Sequence, residues 1–304
     1  MRWIILYTFL ALSIYSTADC QTVSNNLKYL GQRPPSVTPE VFAPGLISKK
    51  EEYEFGSVFN KDATTFYYAV DLNGKAEIRY STLVGKKWSS PQTILSDEAY
   101  GFNDPFLSPD EKRLYFISKK ALEGPGAKKD YDIWYVEKQN NTWSEPINAG
   151  PNINSDRDEY YISFTADGTM YFSSDKITAG EQENSFDIYA SKSVNGQFQQ
   201  PTKLGPSINT SSYEADVFVA PDETYIIFCA RRPEGLGRGD LYVSFKKDDG
   251  SWTKSINMGD KINTKNHELC PFVSQDGQYF FYTSNQDIYW VSAKILMALR
   301  AKSR

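Results

Sequence analysis

Apolar residues fall in short runs of four to seven, each bounded by Gly, Pro, Asn, Asp or Ser, as in Leu114-Tyr115-Phe116-Ile117, Tyr225-Ile226-Ile227-Phe228 and Tyr279-Phe280-Phe281-Tyr282. Runs this short, rich in β-branched and aromatic residues, predict strands rather than helices. They are organised in a repeat. A turn-plus-strand unit recurs around Asp62, Asp110, Asp167, Asp222 and Asp276. Each of these aspartates is placed to cap a hairpin turn through nearby backbone N–H groups, and Gly168 and Gly277 supply permissive dihedrals there. A second unit follows each hairpin, for example Asp132-Ile133-Trp134, Asp187-Ile188-Tyr189, Asp240-Leu241-Tyr242 and Asp287-Ile288-Tyr289. A third follows the first four hairpins and carries Trp88, Trp143 and Trp252 in three of them, where packing explains these rings.

Four short strands (a, b, c and d) in about fifty residues is the module of a propeller blade. The expected fold is therefore all-β: a β-propeller of five four-stranded blades over residues 39–292, with six blades the less favoured count. One blade cannot bury both of its faces, so blades must stack around an axis. The fifth unit ends near Ser292 without a fourth strand, while Pro39–Ser48 has no hairpin partner of its own. The N-terminal segment is expected to close the last blade and so remove an exposed sheet edge.

Outside the propeller, Arg2, the apolar run Trp3–Ile14 and Ser16-Thr17-Ala18 read as a cleavable export signal over residues 1–18. Residues 19–38 are expected to form an irregular arm, and residues 293–304, apolar at helical spacing, a short terminal helix. A lipid anchor at Cys20 is the alternative to a soluble mature protein, although Asp19 fits such a signal poorly. No later stretch is long and apolar enough to span a bilayer.

Composition narrows the function classes. Twenty-one Tyr and eighteen Phe suit pleated surfaces, and a net charge of −5 with interspersed signs gives no basic footprint for nucleic acid. Cys229 and Cys270 fall in strands and read as buried thiols, with a disulfide between them as the alternative in an oxidising compartment. No Cys-x-x-Cys pair is present. His267 is the sole histidine, so no conventional Ser-His-Asp arrangement can be assembled.

The repeats resemble those of TolB-like, WD-like propellers, on Leu107-Ser108-Pro109-Asp110, Leu114-Tyr115-Phe116 and Asp132-Ile133-Trp134. The resemblance covers roughly residues 40–292 and implies a bacterial exported protein. It specifies fold far more than function, since such propellers serve as periplasmic binding proteins, scaffolds and companions of peptidases. TolB-type propellers usually have six blades, and no hydrolase domain accompanies this one.

In an up-and-down blade the a–b and c–d turns share one face, and the b–c and d–a connections share the other. On the second face, acids recur where each a strand begins. Glu54, Glu159, Glu214 and Glu268 each lie eight residues before the turn aspartate (Glu54 and Asp62, for instance), and Asp104 and Asp216 lie six before. Period-two alternation predicts that all six share one side of the strand and ring a channel mouth. Such a ring either satisfies neighbouring backbone groups or binds a basic or polyhydroxylated ligand, or a cation such as calcium. Long b–c loops in repeats two, three and four predict a wall on the same rim, with Lys128, Lys129, Arg231 and Arg232 as exposed contacts. A monomeric, non-catalytic module that binds a protein or glycan through this rim is the leading expectation. A glycan-acting hydrolase or lyase using the carboxylates is the rival. No catalytic residue or resident cofactor is assigned. Gly235, Gly237 and Gly239 lack the Lys-Ser/Thr and helix of a phosphate loop, and Arg238-Gly239-Asp240 is explained by the recurring strand-c aspartate.

Overall fold

Four of the five turn aspartates cap their hairpins as their spacing predicts, while in the first hairpin Asn60 Oδ1 rather than Asp62 accepts, from Thr64 N and Thr65 N (2.8 Å each). Asp110 accepts bonds from Ser108 Oγ (2.7 Å) and Lys112 N (3.1 Å), Asp276 from Ser274 Oγ (2.7 Å) and Gln278 N (3.1 Å), and Asp167 from Thr165 Oγ1 and from Thr169 N (3.1 Å). Each tie closes an a–b hairpin. In the computed structural model, which describes residues 25–123, 126–140, 142–175 and 186–303, these hairpins open five antiparallel blades.

Blade one comprises Tyr53–Phe59, Thr65–Asp71, Ala76–Val84 and Gln92–Leu95, and blade two Asn103–Leu107, Arg113–Lys120, Ala127–Gln139 and Ile147–Asn148. Blade three comprises Glu159–Phe164, Met170–Ser174, Asp187–Ser191 and Thr202–Lys203. Blade four is Tyr213–Val219, Tyr225–Arg231, Asp240–Phe245 and Ile256–Asn257. Blade five supplies Leu269–Val273, Tyr279–Ser284 and Asp287–Ser292, and its outer strand is Glu40–Val41 from the N-terminal side. Glu40 pairs with Trp290 and Val41 with Tyr289, as closure requires. The b strands are buried on both faces because blades stack on either side; hence their continuous rather than alternating apolar runs.

Phe42 locks this closure. It is fully buried, and its ring lies 5.1 Å from Phe66 of blade one and 5.1 Å from Trp290 of blade five. Before it, Tyr29 packs on Phe59 and Tyr279, and Trp88 donates from Nε1 to Leu27 O (2.7 Å). Lys294–Lys302 forms a helix that buries Leu296 and Leu299. Among the described residues no helix is long and apolar enough to cross a membrane. Residues 1–18, read as an export signal, and Cys20 lie outside the described residues, as do residues 176–185 of the third b–c connection.

One irregularity recurs in all five inner strands. The pairing slips between Phe55 and Val58, Asn103 and Phe106, Tyr160 and Ile162, Ala215 and Phe218, and Leu269 and Phe272. Each slip contains one left-handed residue: Gly56, Asp104, Tyr161, Asp216 and Cys270, with φ between 46° and 56°. A bulge with one left-handed residue re-aims the side chain it carries. Here it brings five chemically different residues from equivalent positions to the axis.

The axis is closed rather than open. Tyr161 Oη donates to Pro271 O of blade five across the centre (2.8 Å), and Cys270 Sγ lies 3.3 Å from Asp104 Oδ1 of blade two. Further along, Phe272 meets Phe106 and Phe218 at 6.1 and 5.9 Å between ring centres. The expected open channel is thus closed at its centre, and Asp104 and Asp216 lie buried beside the axis under the central part of the b–c/d–a face, here called the cup.

Candidate functional site: a cup over the propeller axis

The four glutamates expected around the mouth do not line it. All are buried, and each accepts hydrogen bonds from the segment that leads into its own a strand. Glu159 accepts from Ser155 N (3.1 Å), Ser155 Oγ (2.6 Å) and Ser174 Oγ (3.0 Å). Glu214 accepts from Thr210 N (3.0 Å) and Oγ1 (2.6 Å), Glu268 from Thr264 N (3.0 Å), Oγ1 (2.7 Å) and Ser284 Oγ (2.7 Å), and Glu54 from Lys49 N (3.0 Å). In three cases the preceding Asn clasps the c strand of the previous blade, as Asn263 Oδ1 accepts from Leu241 N (2.8 Å) while its Nδ2 donates to Leu241 O (2.9 Å). The signature Ile-Asn-Ser/Thr-x-x-x-Glu at 153–159, 208–214 and 262–268 is an inter-blade clasp, legible in the sequence as a repeat.

Burial pushes Glu54 and Glu159 up to about 7 from the ordinary 4.5. An acid that holds its proton more tightly when folded makes the fold bind extra protons between those two values, so stability falls as pH rises through that window. The melting midpoint should therefore decline from about pH 5 to about pH 8, and Glu159→Gln should flatten the slope. A midpoint that climbs over this range would contradict the assignment.

Arg232 is not the exposed contact the sequence suggested. Its side chain is 7% exposed, pairs with Glu214 at 3.2 Å, donates to Ile208 O (2.9 Å) and Ser255 Oγ (2.8 Å), and lies over the Tyr242 ring. Lys128 also turns inward, with Nζ 2.8 Å from each Asp132 oxygen. The described b–c connection of blade two is partly a hairpin extension, since Lys120 pairs with Ala127. Lys129 lies on that strand, and its side chain is outside the described part. Arg231 is exposed and stacks 4.7 Å over the Tyr213 ring.

At the cup, positions equivalent by repeat carry different residues. Those at the bulges are Gly56, Asp104, Tyr161, Asp216 and Cys270. Gly56 is obligatory, because a Cβ there would stand 2.8 Å from Asp104 Oδ1. Asp104 and Asp216 are about nine-tenths buried. Burial raises Asp216 to about 8, with the Asp104 charge adding to it and Arg231 opposing, and raises Asp104 to about 6, with the Cys270 thiol opposing. His267 is lowered to about 4 by burial and by the charges of Arg231 and Arg238, so it is neutral at pH 7.

Half-buried rings form an arc along blades two to four. Tyr131 and Tyr160 lie 5.2 Å apart, Tyr160 and Phe186 5.0 Å, and Phe186 and Tyr213 5.4 Å. Lys119 caps one end over Tyr131 (4.5 Å), and Arg231 the other. The backbone holds the arc: Tyr131 N donates to Asp158 Oδ1 (2.7 Å), and Glu214 N to Phe186 O (3.0 Å). In register with Tyr131 and Phe186 stand Ala76, Gly239 and Gln286, so the repeat does not demand an aromatic there. The sequence reading missed these four rings. The Tyr-Asp and Phe-Asp pairs opening two c strands were the signal available.

The remaining motifs resolve into packing. Cβ atoms at Gly237 would come within 2.3 Å of Thr264 O and Asn266 O, which explains the glycine-rich loop by close approach rather than by a phosphate. Asp240 is buried and accepts from Leu236 N (2.6 Å), Gly237 N (3.0 Å) and Asn257 Nδ2 (2.8 Å). Cys229 and Cys270 are free thiols.

No protein-family model matches the chain, and no curated protein does. Solved structures do. A TolB from Agrobacterium tumefaciens superposes with a TM-score of 0.50 at 18% identity, over 78% of this chain and 72% of that one. A TolB from Acinetobacter baumannii gives 0.50 at 15%, with 80% of this chain spanning 55% of the other's length. A glycoside hydrolase gives 0.59 at 12%, over 87% and 93%. At these identities the likeness is one of fold: the chain is a β-propeller of five blades, similar in fold to the TolB propellers.

Proposed function

We propose that the protein is an exported, non-catalytic binding module that takes a polyhydroxylated ligand, a glycan, in the cup on the b–c/d–a face. The observation that carries this reading is the unbroken arc Tyr131–Tyr160–Phe186–Tyr213 beside two buried carboxylates. A sugar ring presents axial C–H bonds to an aromatic face and hydroxyls to its edge, so it needs apolar plates next to a few fixed polar groups. A flat protein epitope would instead call for a broad apolar patch. The glycoside-hydrolase likeness contributes only the fold; the chemistry rests on the residues above. The apolar leader at residues 3–14 supports export.

The test is a panel of soluble oligosaccharides followed by calorimetry. Tyr160→Ala and Tyr213→Ala should each weaken binding by about tenfold or more, with circular dichroism unchanged. Affinity untouched by both substitutions would remove the cup from consideration.

One observation favours a second reading, hydrolysis: Asp104 and Asp216 hold protons near 6 and 8, the two sides of neutrality. Such a pair fits one base and one acid. Release of reducing ends that vanishes in both Asp104→Asn and Asp216→Asn would establish it, and binding without release leaves the module non-catalytic.

A further inference from the structure

Asp216, Cys229 and His267 come from three parts of the chain and meet at the seam of blades four and five. Asp216 sits in the left-handed bulge of the fourth inner strand, and Cys229 on the b strand beside it, opposite Ala215. His267 lies just before the fifth inner strand, in register with Tyr213 and Tyr53. One donor atom from each residue falls within 4.8 Å of the other two, and Cys229 Sγ is 3.4 Å from His267 Nε2. A tetrahedral ion with bonds of zinc length holds its donors about 3.5 Å apart, so the sulfur–nitrogen pair already has that spacing.

A thiol–imidazole hydrogen bond would explain two of these residues. It does not explain Asp216. Among the described residues this carboxylate has no hydrogen bond and no ion pair, yet it is 9% exposed and held on a backbone conformation that non-glycine residues rarely adopt. An isolated buried carboxylate is costly unless something compensates its charge. The surroundings also preorganise the other two donors. A Cβ at Gly239 would lie 2.3 Å from His267 Cδ2 and 2.9 Å from Cys229 Sγ, so imidazole and thiol are wedged against bare backbone.

We propose that Asp216, Cys229 and His267 bind a divalent transition-metal ion of the zinc class, leaving one coordination position for an external ligand. The donor set selects the metal. Oxygen, nitrogen and sulfur from three side chains suit zinc, whereas calcium takes six to eight oxygens. Three protein ligands with one open position is the arrangement of reactive rather than purely structural zinc sites. On binding, the Cys229 S–H bond and the O–H bond of protonated Asp216 break, both protons pass to solvent, and the thiolate and carboxylate together balance the ion's two charges. The guanidinium groups of Arg231 and Arg238 work against the cation, which places the affinity below that of an all-cysteine site. This goes beyond the glycan reading and does not depend on it, because the ion is detected without any sugar.

The experiment uses cobalt(II) as the probe, titrated into chelator-stripped protein. One equivalent should produce a thiolate-to-cobalt charge-transfer band and the strong visible bands of four-coordinate cobalt, and zinc should bleach both. Cys229→Ser should lose the charge-transfer band, while Cys20→Ser keeps it. His267→Gln and Asp216→Asn should each weaken cobalt binding by about tenfold or more, with melting of the metal-free variants as the control for folding. Should Cys229→Ser fail to fold, His267→Gln decides alone. No charge-transfer band, a band that survives in Cys229→Ser, or unchanged affinity in His267→Gln would overturn the proposal.

Discussion

Replacing Phe42 by alanine lowers the unfolding free energy by about 3–5 kcal/mol, which for a domain of this size takes the melting midpoint down by roughly 10 °C. The magnitude follows from where the ring sits. Phe42 touches Phe59 and Phe66 of blade one and Phe281 and Trp290 of blade five, with centroid separations of 5.1 to 5.9 Å. It spans the joint between the first and last blades, directly after Glu40 and Val41 of the fifth outer strand, and its own N–H donates to Ile288 O. A cavity there cannot collapse without opening the circle. Chemical denaturation is the direct measurement, and a loss under about 1 kcal/mol would mean that the N-terminal segment is dispensable to the ring.

Glu214→Ala should cost a comparable amount, about 3–5 kcal/mol, for a different reason. The substitution leaves the Arg232 guanidinium 7% exposed with its carboxylate gone, and leaves Thr210 N and Oγ1 without their acceptor. A buried ion pair is weak evidence for stability in itself, but removing one partner strands the other charge in a poor solvent. The double substitution Glu214→Ala/Arg232→Met should therefore recover most of the loss. If the single and double variants melt together, the pair does not hold blade four to its neighbours.

These two residues also mark what could be read from the chain and what could not. Blade number and closure were legible because both follow from local chemistry: an Asp at each hairpin, and an unpaired segment before the first blade matched to an unpaired edge in the last. The side-chain directions at the axis were not. Alternation predicted that Glu214 and Asp216 share a face, and so they would on a regular strand. The left-handed residue in every inner strand breaks that period, sending the glutamates into the seams between blades and Asp216 to the cup. Only Gly56 betrays the bulge in sequence; the four equivalent positions are not glycine, so nothing in their identity announces φ near 50°. Arg232 was misread because it directly follows Arg231, the last residue of its strand, and successive side chains of extended chain point to opposite sides. Repetition itself sorts the residues: what recurs, the turn aspartates and the clasp glutamates, builds the ring, and what varies between equivalent positions equips the cup.

That division can be tested in one experiment, a crystal structure of the protein grown with the tightest-binding oligosaccharide. The account predicts a sugar ring stacked on Tyr160 or Tyr213, with hydroxyls reaching toward Asp104 or Asp216, on the face of the b–c and d–a connections. A ligand seated among the turn aspartates on the opposite face, or in a groove between blades, would contradict it.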